Sequence, residues 1–247
     1  MNLTSYKIAA TIRARMGSRR LPGKIMKMIC NKPLIQWQVE RLKRSKFISE
    51  IIISTTDHAS ENPLINFCKN NNIKFSRGSE NDVLSRVAKT IKEYNIDINI
   101  ELTGDCPLPD ISIIDNFIDE FLSKDGEYDL LSNAIKTTYP PGMEVTIYRS
   151  ETLIDCDNNL SKKDLLREHG CYNLTRFPKK YKTLSKIAPK CHNFPNIHIE
   201  VDTEEDFELV KKIITYFYNK NIEYFDLDSI LEFLHDNDEL LNLNSKI

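Results

Sequence analysis

A short basic loop near the N-terminus carries the strongest chemical signal in the sequence. The stretch ARMGSRRLPGKI, residues 14–25, follows an apolar run, and positions 13–24 contain no acidic residue. Five cations crowd these positions and repel one another unless anions compensate them: Arg13, Arg15, Arg19, Arg20 and Lys24. Guanidinium groups suit phosphate oxygens, so the loop predicts a triphosphate or sugar-phosphate site. A solvated basic turn that pairs with acids elsewhere is the alternative interpretation.

The loop departs from the two common glycine-rich phosphate motifs. A Walker loop has two glycines separated by four residues, then Lys and a Ser or Thr that holds magnesium. Here five residues separate Gly17 from Gly23, Ile25 follows Lys24, and Pro22 removes a backbone donor. The third glycine of a dinucleotide-binding motif is missing as well. Any phosphate site built from this loop is therefore of a different kind.

Two aspartates at predicted strand ends are candidate magnesium ligands. Asp105 lies in TGDCP, where Gly104 permits close approach of the backbone, and Asp202 lies in EVDTEED. Magnesium prefers oxygen ligands and is usually held by one or two carboxylates together with substrate phosphates. If both strand ends open onto one crevice, the two aspartates can hold a metal between them. Each could instead cap a turn or helix, the role that we expect for Asp110 and Asp206.

Short apolar runs alternate with longer amphipathic stretches, which predicts βα units and a mainly parallel sheet. The predicted strands are 6–12, 50–56, 73–78, 97–107, 128–134, 142–149 and a strand from 196 that ends before Asp202. The predicted helices are 32–45, 60–72, 80–94, 111–123, part of 161–174, a helix capped by Thr203 that ends near 220, and 226–237. Parallel α/β sheets bind ligands at the carboxyl ends of their strands. The basic loop, STTD, TGDCP and VDTEED all follow such ends.

Composition and charge exclude several classes of protein. The 247-residue chain is 40% apolar and 28% charged, as is usual for a globular protein. Its net charge of -2 gives no overall basic field for nucleic acid. The sequence shows neither a signal peptide nor an apolar run of about 18 residues, which predicts a cytoplasmic protein without membrane association. The six cysteines form no CxxC pair, so we expect reduced thiols and no zinc or redox motif.

The basic loop and several later segments resemble the SpsF-type cytidylyltransferase family, which is related to CMP-sialic acid and CMP-Kdo synthetases. IRARMGSRRLPGK is similar to the family opening IQARMGSTRLPGK, from which it departs at Arg13 and Arg19. Further stretches of this chain resemble family segments in the same order: SRGSENDVLSRV, ELTGDCPLPD, TYPPGMEVTIY, REH at 167–169 and VDTEEDFELV. The resemblance covers residues 7 to about 210.

The resemblance implies a three-layer, Rossmann-like nucleotidyltransferase (GT-A-like) α/β fold with a mainly parallel mixed sheet. One such domain spans 1–247, and 135–195 forms an acceptor-binding and dimerisation insertion within it. The implied catalytic residues are Arg15, Lys24, Asp105 and Asp202, of which the two aspartates bind Mg²⁺. The expected nucleotide-binding residues are Ala14, Arg15, Met16, Gly17, Ser18, Arg19, Arg20, Lys24, Thr55, Arg77, Gly78, Ser79, Asp82, Thr103, Gly104 and Asp105.

Acceptor recognition is expected from the less regular second half of the chain. The resembled segments there imply six substrate-binding residues: Tyr139, Gly142, Glu144, Arg167, Glu168 and His169. An arginine suits a sugar carboxylate or phosphate, and His169 either orients the attacking hydroxyl or is a satisfied helix-end histidine. The segment SRGSENDVL is expected to contact the nucleobase, unless it is a plain βα loop. Arg86 on the next helix either reaches that pocket or stays exposed.

These residues predict a Mg²⁺-dependent nucleotidyltransferase that uses CTP to activate a nonulosonate-type acidic sugar, releasing pyrophosphate, for surface glycan or polysaccharide synthesis. The nearest alternative uses GTP or another NTP with a sugar 1-phosphate. A related glycosyltransferase would carry Asp-x-Asp where this chain has GDCP. A non-catalytic nucleotide-binding partner subunit would not need the intact Arg15, Lys24, Asp105 and Asp202. We expect a homodimer that binds the nucleotide and a sugar, and neither nucleic acid nor membrane.

Overall fold

Nine strands and eight α-helices make up the computed structural model, which describes residues 6–243. The strands are β1 (Ile8–Arg13), β2 (Met28–Ile29), β3 (Lys32–Pro33), β4 (Glu50–Thr56), β5 (Lys74–Gly78), β6 (Ile98–Thr103), β7 (Leu130–Ser132), β8 (Thr146–Arg149) and β9 (Thr183–Ser185). The helices are α1 (Leu34–Leu42), α2 (Asn62–Asn70), α3 (Val83–Tyr94), α4 (Ile111–Ser123), α5 (Ser150–Asn159), α6 (Tyr172–Thr175), α7 (Glu204–Asn219) and α8 (Leu227–Asp236). The predicted domain bounds at 1 and 247, and the first residues of the segment searched for a signal peptide, lie outside the described residues.

The main sheet has seven strands in the order β5-β4-β1-β6-β8-β7-β9. The first four are parallel, as expected for strands joined by helical crossovers. Strand β8 runs antiparallel to both β6 and β7, whereas β7 and β9 are parallel. The prediction of a mainly parallel mixed sheet is therefore confirmed. The carboxyl ends of β4, β1 and β6 meet at one edge, where the basic loop and TGDCP begin.

Both faces of this sheet are covered by helices, which gives three layers. Alternate side chains of β1 enter different clusters of buried residues: Ile8, Ala10 and Ile12 enter one, and Ala9 enters the other. The larger cluster includes apolar residues of α1, α2, α4, α7 and α8, and the smaller includes those of α3, α5 and α6. Among the described residues, no helix has the length and apolar character needed to cross a membrane.

The second half of the chain differs from the sequence predictions at several elements. The strand predicted before Asp202 does not form: residues 196–202 are irregular, and the amides of Ile199 and Glu200 both donate to the carbonyl of Pro141. The helix predicted within 161–174 is divided into a 3₁₀ turn, Leu165–His169, and α6, because Gly170 between them has a φ of +55°. The predicted strand 142–149 is shortened to β8.

In the second half of the chain, one helix and one strand, α5 and β9, have no counterpart in the sequence predictions. In the first half, β2 has none, and β3 takes the first two residues of the helix predicted over 32–45. Helix α5 starts directly after β8, so no turn residues separate the two elements in the sequence. Strand β9 has only three residues and pairs with β7 at the end of the sheet. Such a short edge strand is fixed by its partner rather than by its own pattern.

Candidate functional site

The basic loop folds back on itself and is tied to the sheet by a buried carboxylate. The amides of Ser18 and Gly23 both donate to the carbonyl of Met16, at 3.0 and 2.9 Å. The amide of Met16 donates to Glu61 Oε2 at 3.0 Å, and Glu61 also accepts the hydroxyl of Thr55 at 2.9 Å. Because Glu61 is buried, this anchor fixes where the loop leaves β1. The start of the loop is therefore fixed, and four of its five cations pair with carboxylates elsewhere in the chain, as the alternative interpretation expects.

Lys24 brings together the two aspartates that the sequence singled out as metal ligands. Its Nζ donates to Asp105 Oδ2 at 2.8 Å, to Asp202 Oδ1 at 3.0 Å and to the carbonyl of Val201 at 2.7 Å. Arg20 Nη2 binds the other oxygen of Asp202 at 2.5 Å. At the base of the loop, Lys24 thus contacts side chains that lie about 80 and 180 positions further along the sequence.

The charges of this cluster stabilise one another. Burial opposes the charge on Lys24, but Asp105 and Asp202 outweigh it and raise the pKa of the amine. Burial likewise opposes ionisation of Asp105, and Lys24 outweighs it and lowers the pKa of that carboxyl. At neutral pH the cluster therefore holds an ammonium and an ionised Asp105 in direct contact.

The backbone explains how Asp105 and Asp202 reach the same place. The amide of Gly104 donates to the carbonyl of Arg13 at 2.9 Å, and a Cβ on Gly104 would lie 2.8 Å from Cβ of Ala14. Only glycine permits this approach of the loop after β6 to the end of β1. The amide of Val201 donates to the carbonyl of Asp105 at 2.8 Å, which joins the two aspartate segments directly.

A capping box holds Asp202 at the start of α7. The hydroxyl of Thr203 accepts from the amide of Asp206, and the Asp206 carboxylate accepts from the amide of Thr203 at 2.9 Å. The same carboxylate accepts from the amide of Asp202 at 3.0 Å. The predicted capping by Thr203 and Asp206 is therefore confirmed. The side chain of Asp202 takes no part in this cap and binds Lys24 and Arg20 instead.

The donor set at this point suits a magnesium–nucleotide complex. Asp105 and Asp202 offer carboxylate oxygens to the same nitrogen, and both side chains are partly exposed to the cleft. Within residues 6–243, no group of three or more His, Cys, Asp or Glu side chains could hold a metal by itself. Two carboxylates plus phosphate oxygens are the usual ligands of Mg²⁺, so the residues fit a metal that arrives with a nucleotide.

A cleft of about 930 Å³ opens above this cluster. Ten of the sixteen predicted nucleotide-binding residues line it: Ala14, Arg15, Gly17, Ser18, Arg19, Arg20, Lys24, Thr103, Gly104 and Asp105. Asp202 lines it too. Arg15 is paired with Glu80 at 2.8 Å, and both side chains remain nearly half exposed. The cleft is large enough for a nucleoside triphosphate and is strongly basic on the loop side.

The other six predicted nucleotide-binding residues do not line the cleft: Met16, Thr55, Arg77, Gly78, Ser79 and Asp82. Arg77 donates from Nε to the carbonyl of Thr56 at 3.1 Å and so braces the backbone. Glu80, Asn81 and Arg86 line the cleft in this region instead. Arg86 is buried, donates to the carbonyl of Ser79 at 2.8 Å, and has its pKa lowered to about 10 by burial and then by neighbouring arginines.

A second cavity of about 260 Å³ adjoins the cleft, and Arg13, Thr103 and His169 line both. Of the six predicted acceptor-binding residues, Glu144 and His169 line the smaller cavity, and Glu168 and His169 line the cleft. Burial raises the pKa of Glu144 to about 7, although its carboxylate accepts from the amide of Gly142 at 2.7 Å.

The structure places three predicted acceptor-binding residues outside both cavities. Arg167 is 2% exposed and forms ion pairs with Asp82, at 2.9 Å, and with Asp157. Tyr139 packs edge-on against Phe117. Gly142 has a φ of +109°, and a Cβ there would lie 2.7 Å from the amide nitrogen of Glu200. These three residues support the cavities from behind.

Two residues that surround Arg13, Glu101 and Tyr148, were not singled out from the sequence. Arg13 pairs through Nε with Glu101 Oε1 at 3.1 Å, and Glu101 is almost fully buried. The hydroxyl of Tyr148 donates to the other oxygen of Glu101 at 2.5 Å. A glutamate inside an otherwise apolar strand, as in INIELT, was the signal for a buried charge with a partner.

Proteins of similar sequence and structure can now be compared with this site. The family described as "Cytidylyltransferase" matches residues 9–242. An uncharacterized protein of Methanocaldococcus jannaschii is 30% identical over 98% of this chain and 96% of its own length. The spore coat polysaccharide biosynthesis protein SpsF of Bacillus subtilis is 30% identical over 82% of this chain and 84% of its own. The structure of a cytidylyltransferase from Leptospira borgpetersenii has a TM-score of 0.90 at 32% identity and covers 98% of this chain and 99% of that one.

A shorter match involves an enzyme of known acceptor. A 3-deoxy-manno-octulosonate cytidylyltransferase of Bdellovibrio bacteriovorus is 35% identical over 47% of this chain and 46% of its own length. The whole-length similarities show the family, and the partial match covers less than half of either chain. They leave the acceptor side to be argued from the cavity itself.

Proposed function

Because the chain belongs to the cytidylyltransferase family, we propose that it is a Mg²⁺-dependent enzyme that transfers CMP from CTP to a nonulosonate-type acidic sugar. The observation that carries the proposal is the contact of Lys24 with Asp105 and Asp202 at the base of a basic cleft. This arrangement offers cations to a triphosphate and two carboxylates to its metal ion.

The reaction exchanges one phosphorus–oxygen bond for another. The acceptor hydroxyl oxygen forms a bond to the α-phosphorus of CTP, and the bond to the bridging oxygen of the β-phosphate breaks. Pyrophosphate leaves, and the hydroxyl proton passes to solvent. Because the protein forms no covalent bond, its contribution is to position the reactants and to stabilise charge.

The chain's own residues divide this work. Arg15, Arg19 and Arg20 line the cleft and stabilise the negative charge of the triphosphate and of the departing pyrophosphate. Asp105 and Asp202 would hold Mg²⁺, which would supply charge neutralisation at the phosphate oxygens. Lys24 exchanges its carboxylate contacts for phosphate contacts when the nucleotide and its metal arrive.

The segment 135–195 supports the proposed acceptor site and a homodimer. It contributes Glu144 and His169 to the smaller cavity, which shares lining residues with the cleft. It also exposes seven large apolar side chains: Ile135, Leu165, Leu166, Tyr172, Phe177, Ile187 and Phe194. Exposed apolar side chains concentrated in one segment are typical of a protein–protein contact. We therefore propose that a second copy of the chain covers this segment.

The biological setting follows from the chemistry of the relatives. SpsF is described as a spore coat polysaccharide biosynthesis protein, and the Bdellovibrio enzyme as acting on an acidic sugar. We propose that this chain likewise supplies an activated sugar for a surface glycan or polysaccharide. Its proposed substrates, CTP and a free sugar, are cytoplasmic, and so is the proposed location.

Pyrophosphate release tests the proposal directly. ATP, CTP, GTP and UTP are each combined with N-acetylneuraminate, 3-deoxy-manno-octulosonate, further nonulosonates and hexose 1-phosphates, with Mg²⁺ or with EDTA. We expect release with CTP and an acidic sugar, and its loss with EDTA. Release only with GTP and a hexose 1-phosphate would favour the alternative nucleotidyltransferase. No release with any pair would overturn the enzymatic proposal for this site.

A further inference from the structure

Arg13 occupies a place that none of the other loop cations shares. All five cations at positions 13–24 line the large cleft, but Arg13 also lines the smaller cavity. Among the described residues, no other lysine or arginine lines that smaller cavity. The four remaining loop cations serve the cleft, where the triphosphate is proposed to bind. The position of Arg13 at the junction points to a different task.

Glu101 fixes the Arg13 side chain at this junction. The carboxylate of Glu101 lies 3.1 Å from Arg13 Nε, accepts the hydroxyl of Tyr148 at 2.5 Å and accepts the amide of Cys171 at 3.4 Å. Burial opposes the charge on Arg13, but Glu101 outweighs it and raises the pKa of the guanidinium. The guanidinium is therefore held in one orientation and keeps its charge.

No side-chain hydrogen bond of Arg13 is present among the described residues: Nε is buried and lies 3.1 Å from Glu101 Oε1 without forming one. The backbone of Gly170 packs closely against this pair. A Cβ on Gly170 would lie 3.1 Å from Arg13 Nη1 and 2.8 Å from Glu101 Oε1. A guanidinium with two unused, parallel donors matches a planar carboxylate in a bidentate geometry.

We propose that Arg13 is a specificity-determining residue that binds the carboxylate of the acceptor sugar, and that Glu101 is its positioning residue. This inference rests on the proposed function, because it assumes an acidic acceptor. In a 2-keto sugar acid, the carboxylate is attached to the anomeric carbon that bears the attacking hydroxyl. A carboxylate on Arg13 therefore places that hydroxyl at the opening between the smaller cavity and the cleft, next to the α-phosphorus.

The surroundings of Arg13 agree with this orientation of the acceptor. Beyond Arg13, the smaller cavity is lined by hydroxyl and apolar side chains, including Ser132, Thr146 and Tyr172, which suit the remainder of a sugar. His169 and Glu200 line it as well, and Glu200 lies 3.7 Å from Nδ1 of His198. Glu144 also lines it, and because burial raises the pKa of this carboxyl to about 7, the carboxyl is only partly ionised at neutral pH. Its repulsion of an acidic acceptor is correspondingly reduced.

Steady-state kinetics of Arg13→Gln test the inference with two acceptors. The first is the acidic sugar that the wild type turns over fastest, and the second is its uncharged carboxamide. We expect the KM for the acidic sugar to rise about ten- to a hundredfold, the loss expected for a charged hydrogen-bonded pair. The KM for the carboxamide and for CTP should stay within about twofold. Arg13→Lys should recover part of the difference, because it keeps the charge but not the bidentate geometry.

A matched variant and a folding control separate the possible outcomes. Arg19→Gln removes the same charge from the cleft alone, so it should raise the KM for CTP and leave the ratio of the two acceptors unchanged. The double variant Arg13→Gln/Glu101→Gln avoids a buried unpaired carboxylate, and its melting temperature shows whether a loss is one of folding. It should show the same acceptor ratio as Arg13→Gln.

Three results would overturn the assignment. Equal rises in KM for both acceptors would make Arg13 merely structural, and a rise in KM for CTP alone would make it a phosphate ligand. Unchanged kinetics in a folded Arg13→Gln variant would remove it from the site. Each of these presupposes that the wild type turns over an acidic sugar. If the wild type uses only uncharged acceptors or sugar 1-phosphates, the proposed function fails first.

Discussion

Residues 13–24 and residues 135–195 line adjoining cavities, but different forces hold them in place. The first segment is fixed by backbone hydrogen bonds around Met16 and by ion pairs that surround Lys24 and Arg20. The second contains β8, β9, α5 and α6 together with irregular stretches, is attached to α3 through the buried Arg167–Asp82 pair, and exposes many apolar side chains. We propose that a charged ligand completes the first segment, and that a sugar and a second subunit complete the second.

This difference determines which kinds of substitution each segment tolerates. In the loop segment, we expect single charges to carry function, because the five cations are compensated only partly by carboxylates of other segments. In the segment 135–195, packing and burial hold the side chains in place, as the buried Arg167 and the constrained Gly142 show. Substitutions that remove one charge should therefore affect turnover in the first segment and assembly or stability in the second.

Asp105→Asn should give the largest effect and leave the fold intact. The amide cannot supply a charged oxygen to Mg²⁺, whereas Lys24 keeps its contacts with Asp202 and with the carbonyl of Val201. We expect turnover to fall by at least about a hundredfold, in the range found when one electrostatic group is removed from an active site. Pyrophosphate release and thermal melting measure the two properties. Activity within a few-fold of wild type would show that Asp105 is not a metal ligand.

Asp110→Ala is the matched control for that prediction, because it removes a nearby aspartate that serves only the fold. Asp110 accepts the amides of Ser112, Ile113 and Leu227 and is buried. Its removal should lower the free energy of unfolding by about 2–3 kcal/mol, since buried amides lose their acceptor. The kcat of the folded variant should stay near the wild-type value.

Lys24→Met should lower turnover about a hundredfold and, at the same time, strengthen metal binding without nucleotide. The ammonium of Lys24 occupies the carboxylates of Asp105 and Asp202, so a free cation must compete with it. We expect Mg²⁺ or Mn²⁺ to bind the variant about tenfold more tightly, as measured by calorimetry. Lys27→Met is the control, because Lys27 contacts Glu204 instead. Equal or weaker metal binding by Lys24→Met would separate Lys24 from the metal site.

The sequence identified the residues of the loop segment better than it identified their partners. Asp105 and Asp202 follow recognisable motifs, and the structure brings them together. Their common contact with Lys24 was not predictable, because it joins three distant segments through the fold of the sheet. Arg13 was noted only as an unusual cation, since its partner Glu101 lies on a neighbouring strand.

The segment 135–195 was less predictable because its structure depends on distant contacts. Arg167 belongs to a motif, yet the side chain turns inward to Asp82 and Asp157 instead of toward a cavity. A three-residue motif such as REH does not show which of its side chains will point into the protein interior. By contrast, the parallel half of the sheet was predictable, because strands such as β4 are short apolar runs bounded by polar loops.

Leu165→Glu should weaken self-association and leave the loop segment unaffected. Leu165 is 86% exposed in the 3₁₀ turn, so the substitution does not disturb the folded subunit. If a second copy buries this side chain, a charge there should weaken the dimer by at least about tenfold, given about 1.5–3 kcal/mol for a buried leucine. Sedimentation velocity measures the change. Tyr218→Glu, on the exposed end of α7, is the control. A wild-type monomer, or an unchanged dimer in the variant, would contradict the proposed interface.

Substitution of Glu144 should give the smallest effect. The pKa of Glu144 is shifted in the opposite direction from that of Asp105. Lys24 lowers the pKa of Asp105 against the effect of burial, whereas burial raises the pKa of Glu144 from 4.5 to about 7. Between these two pH values, Glu144 stays protonated in the folded protein and ionises in the unfolded chain. Its contribution to stability is therefore fully present below pH 4.5 and is lost as the pH rises through about 7.

The difference in unfolding free energy between wild type and Glu144→Gln isolates this contribution from the other titrating groups. The glutamine keeps an acceptor for the amide of Gly142 but cannot ionise. Relative to the variant, the wild type should lose about 1–3 kcal/mol as the pH rises across that interval, as measured by urea denaturation. Glu232→Gln, on the exposed side of α8, should show no such slope. A pH-independent difference for Glu144→Gln would mean that solvent or a cation reaches this carboxylate in the free enzyme, and the acceptor cavity would then be as polar as the cleft beside it.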